Sequence, residues 1–449
     1  MTHRHSMTAL GAVPAVNPSR RCSDGPPVND TYAPFQQAGF RSYFAARVLS
    51  VVGSQMLSVA VGWQMYALTN DPKDLGYVGL VQFLPQLVLF PVAGTVADRA
   101  RRNRILVVCY GLFFLGAVLL AGMSATHHVS REGIFAALTV IALGRAFGSP
   151  ASQSLLPQLV PAEAFPRAAS WSSSAFGASV ITGPAIGGAI YGLVEGQGGN
   201  GAFAAYALAA ACIAGAIAAA STLPDLRAVH EGEPPGWGQA LDGVRFIWAK
   251  KILLAAITLD LFAVLFGGAV ALLPIFARDV LHTGPEGLGM LRAAPAVGSL
   301  GMAVFLAYRP LERNLGFRLY TAVALFGVAT IAFALSTNLW LSMLALLVTG
   351  AADEISVFVR LNVVQAATPN HVRGRVSAAE FVFIGASNEL GALESGMTAA
   401  WWGAVPSVLF GGLASIVVVL VGAGLSRQLR QVDRLADVRN DPDRSMTTR

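Results

Sequence analysis

The sequence predicts an all-α membrane protein of about twelve transmembrane helices, on three observations. First, 54% of its 449 residues are hydrophobic and only 12% are charged, whereas a soluble domain is about a quarter charged; the mean hydropathy is +0.58. Second, a hydrocarbon core of roughly 30 Å takes about 20 mostly apolar residues per helix, and runs of that length recur between short polar or Pro/Gly-marked breaks. Third, the basic residues are sorted to one side of those runs.

The runs lie near 42–68, 75–97, 105–124, 134–157, 169–193 and 202–222, then 253–276, 287–308, 318–335, 340–364, 378–401 and 405–426. Of 31 Lys and Arg, four fall inside runs (Arg47, Arg145, Arg292, Arg360) and three in loops on one side (Lys73, Arg131, Arg278). The remaining 24 lie on the other side, so the positive-inside rule makes both termini cytoplasmic in a bacterial inner membrane. This placement also argues against nucleic acid as the partner of a chain with net charge +6.

Residues 1–38 lack an apolar core and read as a disordered cytoplasmic tail, with the first helix as targeting signal. Residues 427–449 form a charged cytoplasmic tail. Between them, residues 223–251 are the longest interruption, and QALDGVRFIWAKK within it suggests an interfacial amphipathic helix. This linker divides the chain into bundles of six helices, 39–222 and 252–426.

The loop after the second run reads Gly94-Thr-Val-Ala-Asp98-Arg99-Ala-Arg101-Arg102. It resembles the G-x-x-x-D-R/K-x-G/R-R motif of the major facilitator superfamily, although Asn103 precedes the last basic residue, Arg104. Gly94 permits close helix approach, Asp98 suits a helix N-terminus, and the arginines suit an anionic leaflet. The resemblance implies a conformational gate in which this loop latches onto helix eleven. There Ser377-Ala-Ala-Glu380 has the form of a capping box, so Glu380 is either a cap residue or half of a gate pair with Arg360.

Gly183-Pro184-Ala-Ile-Gly187-Gly188 resembles the helix-five element of proton-coupled exporters in the superfamily, where small residues allow tight contact and proline bends the helix. Arg145 with Gly148 resembles its helix-four R-x-x-x-G pattern, linked to proton transfer. A charge at that depth costs about 2.5 to 3.5 kcal/mol on insertion scales, so Arg145 should face a cavity or a carboxylate.

The intramembrane carboxylates concentrate in the second half: Asp260, Asp353, Glu354, Glu389 and Glu394. Removal from water favours the protonated form of a carboxyl group, which suits a group that picks up a proton on one side and releases it on the other. The order of expectation for the proton site is Asp260, then Asp353 and Glu354, then Glu389; ion pairing and helix capping are the competing explanations for each. Asp353 and Arg360 are about two turns apart on one helix face, too far for a short bond. Arg47 and Glu394 are candidates for ion pairs or gates, with snorkelling as Arg47's alternative.

The stretch Arg360 to Pro369, with Arg373-Gly-Arg-Val-Ser377 and Phe383 to Gly391, resembles the enterobactin-exporter and macrolide-efflux branch, the third drug:proton antiporter family. That resemblance implies the major facilitator fold, a monomer, and proton-driven efflux of a small hydrophobic or amphipathic molecule such as a drug or siderophore. An importer or facilitator of the same fold, and a non-transporting receptor or membrane enzyme, are the alternatives. No cofactor or metal site is expected: Cys22, Cys109 and Cys212 lack ligand spacing, and no P-loop, H-E-x-x-H or G-x-S-x-G occurs. Trp63, Gln64, Phe83, Phe262 and Phe266 are candidates for lining a cavity, with ordinary packing as the alternative.

Overall fold

Apolar run length translates directly into helix. The computed structural model describes residues 32–99, 101–225, 237–369 and 372–434, and among these all regular structure is helical. The long helices are α1 (Ala38–Thr69), α2 (Pro72–Arg99), α3 (Arg102–Ala125), α4 (Arg131–Leu159), α5 (Phe165–Gly196) and α6 (Gly201–Ser221). After α7 (Trp237–Ala249) come α8 (Lys251–Phe266), α9 (Leu273–Ile275), α10 (Pro285–Tyr308), α11 (Leu315–Leu335), α12 (Leu339–Ala367), α13 (Arg373–Trp402) and α14 (Ala404–Leu425). Each predicted run except the seventh coincides with one of them, and the helices run a few residues further at most ends.

Nine spans among the described residues are long and apolar enough to cross a membrane. Long helices outside that set are α2, α4 and α13. They carry charged residues, among them Asp74, Arg145, Glu380 and Glu389. Outward surfaces are apolar, with Val108 (63%), Leu420 (68%) and Leu425 (83%) exposed, as suits contact with hydrocarbon.

The seventh run is not one helix. α8 ends at Phe266, Gly267-Gly268 interrupts it, and the chain resumes through a 3-10 turn at Ala269–Leu272, the short α9 and a π turn at Phe276–Val280. Two adjacent glycines weaken the helix there, and Pro274 supplies no backbone donor to repair it. Irregular backbone at membrane depth is tolerated where it lines a cavity.

Local signals fix several helix starts. Ser130 accepts from Gly133 N at 3.0 Å and Asn200 from Phe203 N at 2.9 Å, capping α4 and α6. The capping box expected at Ser377 to Glu380 is not used. Val372 N bonds Pro369 O at 3.2 Å, α13 starts at Arg373, and Glu380 lies inside the helix. The linker helix α7 packs on α13 and α8, with Asp242 3.5 Å from Arg375 and Ile247 buried beside Val376.

Helices α1 to α6 pack on one another, as do α8 and α10 to α14; α5 against α10 and α2 against α13 join the two sets. Both joints depend on glycine. A Cβ on Gly188 of α5 would stand 2.9 Å from Gly289 Cα of α10, and one on Gly396 of α13 would stand 2.9 Å from Gly76 N and Pro72 O of α2. Gly183 and Gly187 of the helix-five motif face α1 instead, where added Cβ atoms would meet Gln55 Cβ at 2.6 Å and Met56 Cα at 2.9 Å.

Alanine in place of glycine inside a helix gains up to about 1 kcal/mol of propensity, whereas overpacking costs about 1 to 3 kcal/mol. Gly188→Ala is therefore expected to lower the thermal unfolding midpoint of the purified protein. Gly196→Ala, at the end of the same helix with open space around its Cβ, is expected to leave the midpoint unchanged or raise it. Equal midpoints for the two variants would count against the close α5–α10 crossing.

Candidate functional site

The joints leave a cavity of about 540 Å³ between the two sets of helices. One wall is Gln55 and Ser58 of α1, Gly79 and Gln82 of α2, and Arg145 of α4. The other is the broken segment from Gly267 to Ala271 with Pro274, together with Arg292, Thr330, Thr349, Asp353, Asn388 and Glu389. Phe326, Phe333 and Leu346 add apolar surface. The least apolar long helices α2, α4 and α13 thus all face the cavity, which explains why charge is tolerated in them.

The charges are arranged in two groups. In the first, Arg145 and Arg292 approach from opposite walls, both within electrostatic range of Glu389. Arg292 Nη2 donates to Ser58 Oγ at 2.7 Å, tying α10 to α1. Glu389 lies over Gly79, where a Cβ would stand 2.6 Å from Glu389 Oε2. In the second group Arg360 is held between two carboxylates, with Glu380 Oε1 2.5 Å from Nη1 and Asp260 Oδ2 3.2 Å from Nε.

Ser356 Oγ donates to Asp260 Oδ1 at 3.0 Å. The Nε proton is not aligned on Asp260, so that contact is charge on charge rather than a directed hydrogen bond. Arg360, Asp260 and Glu380 are only 3%, 7% and 5% exposed. Asp353 lines both the main cavity and a small void shared with Asp260 and Ser356, and so stands between the two groups.

The other candidates are placed as follows. Glu354 accepts from Ser299 Oγ of α10 at 2.6 Å and does not line the cavity. Arg47 donates to Tyr43 OH and Ser152 Oγ, each at 3.4 Å, and its guanidinium lies 5.5 Å from the Phe176 ring centre. Glu394 accepts from Ser395 Oγ at 3.4 Å. Arg101 pairs with Asp225 and Arg102 is buried, while the side chains of Gly94, Asp98 and Arg99 lie outside the described residues. Cys109 and Cys212 are free, and Cys22 lies outside the described residues.

The aromatic lining predicted from sequence does not form. Gln64 bonds Ser124 and Tyr206 inside the first set of helices, Trp63 packs on the core there, and Phe83 meets Gly385 where α2 crosses α13. Phe262 and Phe266 stack on each other at 6.2 Å. For the aromatic rings apolar neighbours outcompeted a polar void, and for Gln64 two hydrogen bonds did. Arg292 is the residue that sequence reasoning left without a role; its signal was the same as Arg145's, an arginine inside an apolar run.

Polar side-chain contacts also join the two sets beyond the cavity, at the end away from the termini. There Tyr66 OH donates to Asp279, and Arg278 donates to Asn70 Oδ1 at 3.0 Å. These bonds tie the two sets together at that end of the cavity.

Residues 29–445 match the profile of the family described as transmembrane secretion effector. The chain belongs to this family of the major facilitator superfamily. It is similar to macrolide efflux protein A of Streptococcus pyogenes, 24% identical over 263 residues, which are 58% of this chain and 64% of that protein. It thus spans just under two thirds of that relative. It is also similar to the multidrug efflux pump Tap of Mycolicibacterium fortuitum, 26% identical over 404 residues, covering 86% of this chain and 95% of Tap. A bacterial homologue of the human lysosomal transporter Spinster, in an inward-facing occupied conformation, superposes with a TM-score of 0.67 at 14% identity, over 88% of this chain and 96% of that one. That likeness establishes the major facilitator fold.

Removing Arg360 strands two buried carboxylates, a loss of about 3 to 5 kcal/mol. Arg360→Met is expected to cut the yield of folded protein and lower its unfolding midpoint. Adding Asp260→Asn and Glu380→Gln to the same chain should restore both, because no unpaired charge then remains. A single Arg360→Met variant as stable as wild type would show that the three charges are not an energetic unit.

Proposed function

We propose that this major facilitator protein is a proton-coupled exporter of a small amphipathic molecule, working as a monomer by alternating access. The observation that carries the reading is the cavity between the two sets of helices, with the sets tied together by polar contacts at the end away from the termini. On this reading residues 39–222 and 252–426 are two six-helix bundles that rock about the cavity, giving twelve spans. The excess of Lys and Arg on the terminal side supports a cytoplasmic location of both termini, in a bacterial inner membrane. The cavity is then the cytoplasm-facing state, from which an exporter loads. The efflux functions of the macrolide protein and of Tap support this direction.

Asp353 is the best-placed proton carrier. It borders the cavity, whereas Asp260, the first expectation from sequence, is held by Arg360 and Ser356. Asp353 also adjoins Asp260 through their shared void, so its protonation relieves like-charge repulsion beside the Arg360 group. Asp98 and the loop to Arg102 supply the latch that closes the cytoplasmic end in the opposite state.

The test uses inside-out vesicles from cells making the protein, in which respiration acidifies the lumen. The fluorescent dye N-phenyl-1-naphthylamine and its sulfonated counterpart 8-anilinonaphthalene-1-sulfonate serve as probes. The expected result is gradient-driven accumulation in the lumen that a proton ionophore collapses, with Asp353→Asn losing accumulation but keeping dye exchange. Intact proton coupling in Asp353→Asn would eliminate that assignment. Accumulation in whole cells instead of vesicles would assign import.

A further inference from the structure

The cavity's two arginines, both half-buried, differ from the fully buried Arg360. Arg360 is neutralised by two carboxylates. Among the described residues, no carboxylate lies within 4.0 Å of Arg145 or Arg292, although both line the cavity. Arg292 is anchored through one hydrogen bond to the neutral Ser58 Oγ. A guanidinium carries five N–H donors in a planar fork, so this anchor leaves most of its donors facing the cavity.

The two arginines come from opposite walls, α4 and α10, and the carboxylate within electrostatic range of both is Glu389. Together the three groups carry a surplus of one positive charge. Asp353, the cavity's other carboxylate, is instead in electrostatic range of Asp260, Glu354 and Arg360. The local excess of one positive charge at Arg145, Arg292 and Glu389 is thus shared between the two sets of helices, with Asp353 placed beside Asp260 across their small void.

We infer that Arg145 and Arg292 form the recognition site for one anionic group, a carboxylate, sulfonate or comparable acid, on an otherwise apolar substrate. This deepens the exporter reading and rests on it for the word substrate. A planar or tetrahedral acid accepts from two guanidinium forks at once, one from each wall, and the pairing gains strength away from bulk water. Phe326, Phe333 and Leu346 receive the apolar body. Glu389 limits the ligand to one negative charge, because a second anion would meet uncompensated repulsion. Bridging opposite walls also makes occupancy sensitive to how far apart the two sets of helices stand.

Equilibrium binding to the full-length protein in nanodiscs, with no gradient, tests this using the same matched dyes. N-phenyl-1-naphthylamine and 8-anilinonaphthalene-1-sulfonate share a skeleton and differ by the sulfonate. Wild-type protein should show a saturable site that prefers the anionic dye by at least about tenfold over background from empty nanodiscs. Arg145→Gln and Arg292→Gln should each weaken the anionic dye about tenfold and leave the neutral dye unchanged, the latter result also reporting an intact cavity. Arg292→Lys, which keeps the charge but not the fork, should keep part of the preference. Equal binding of the two dyes to wild type would overturn the inference, as would a preference that survives both Gln substitutions together. Anion preference without gradient-driven vesicle accumulation of either dye would sink the export reading alone. Accumulation without the preference would sink this inference alone.

Discussion

The architecture depends on how closely two pairs of helix backbones approach. Apolar surface gains nothing by leaving lipid for another helix, so helix association in a membrane rests on close packing and on polar contacts. Gly188 against Gly289, and Gly76 against Gly396, remove the side chains that would hold α5 from α10 and α2 from α13. These crossings fasten the two sets of helices together at one end and leave the cavity between them. The helix-five glycines serve both sides of that arrangement, with Gly183 and Gly187 holding α5 on α1 while Gly188 meets the other set.

Charge is distributed to suit. An unpaired charge in hydrocarbon costs several kcal/mol, so each buried charge needs a partner or a polar space. Arg360 has the first, in Asp260 and Glu380; Arg145 and Arg292 have the second. The break in the seventh run belongs to the same economy of polar groups, because the backbone freed at Gly267 and Gly268 borders the cavity rather than lipid. The Arg360 triad sits wholly within the second set of helices, whereas the cavity arginines span both sets.

Much of the fold was legible because helix formation in a bilayer is dictated by run length, and run length is a property of contiguous residues. The family was legible from the loop at Gly94 to Arg102 and from the helix-five glycines, and the profile over residues 29–445 agrees. Local rules failed where a distant partner intervened. Ser377 to Glu380 has a capping pattern, but the chain turns earlier, after Pro369, and Glu380 is claimed by Arg360 twenty residues away. The aromatic candidates for the cavity failed for a similar reason, since apolar surface finds packing partners more readily than it lines a polar void, while Gln64 is held by Ser124 and Tyr206.

The sequence by itself determined that the chain is helical and membrane-embedded, that it belongs to the major facilitator superfamily, and which ionisable residues lie at membrane depth. These follow from composition, periodicity and contiguous motifs. Only the tertiary structure decided how those ionisable residues are shared out: Asp260 and Glu380 to Arg360, Asp353, Glu389, Arg145 and Arg292 to the cavity. The physical reason is that electrostatic partnership is set by distances of a few ångströms between residues far apart in the chain, here brought together by crossings that only glycine permits.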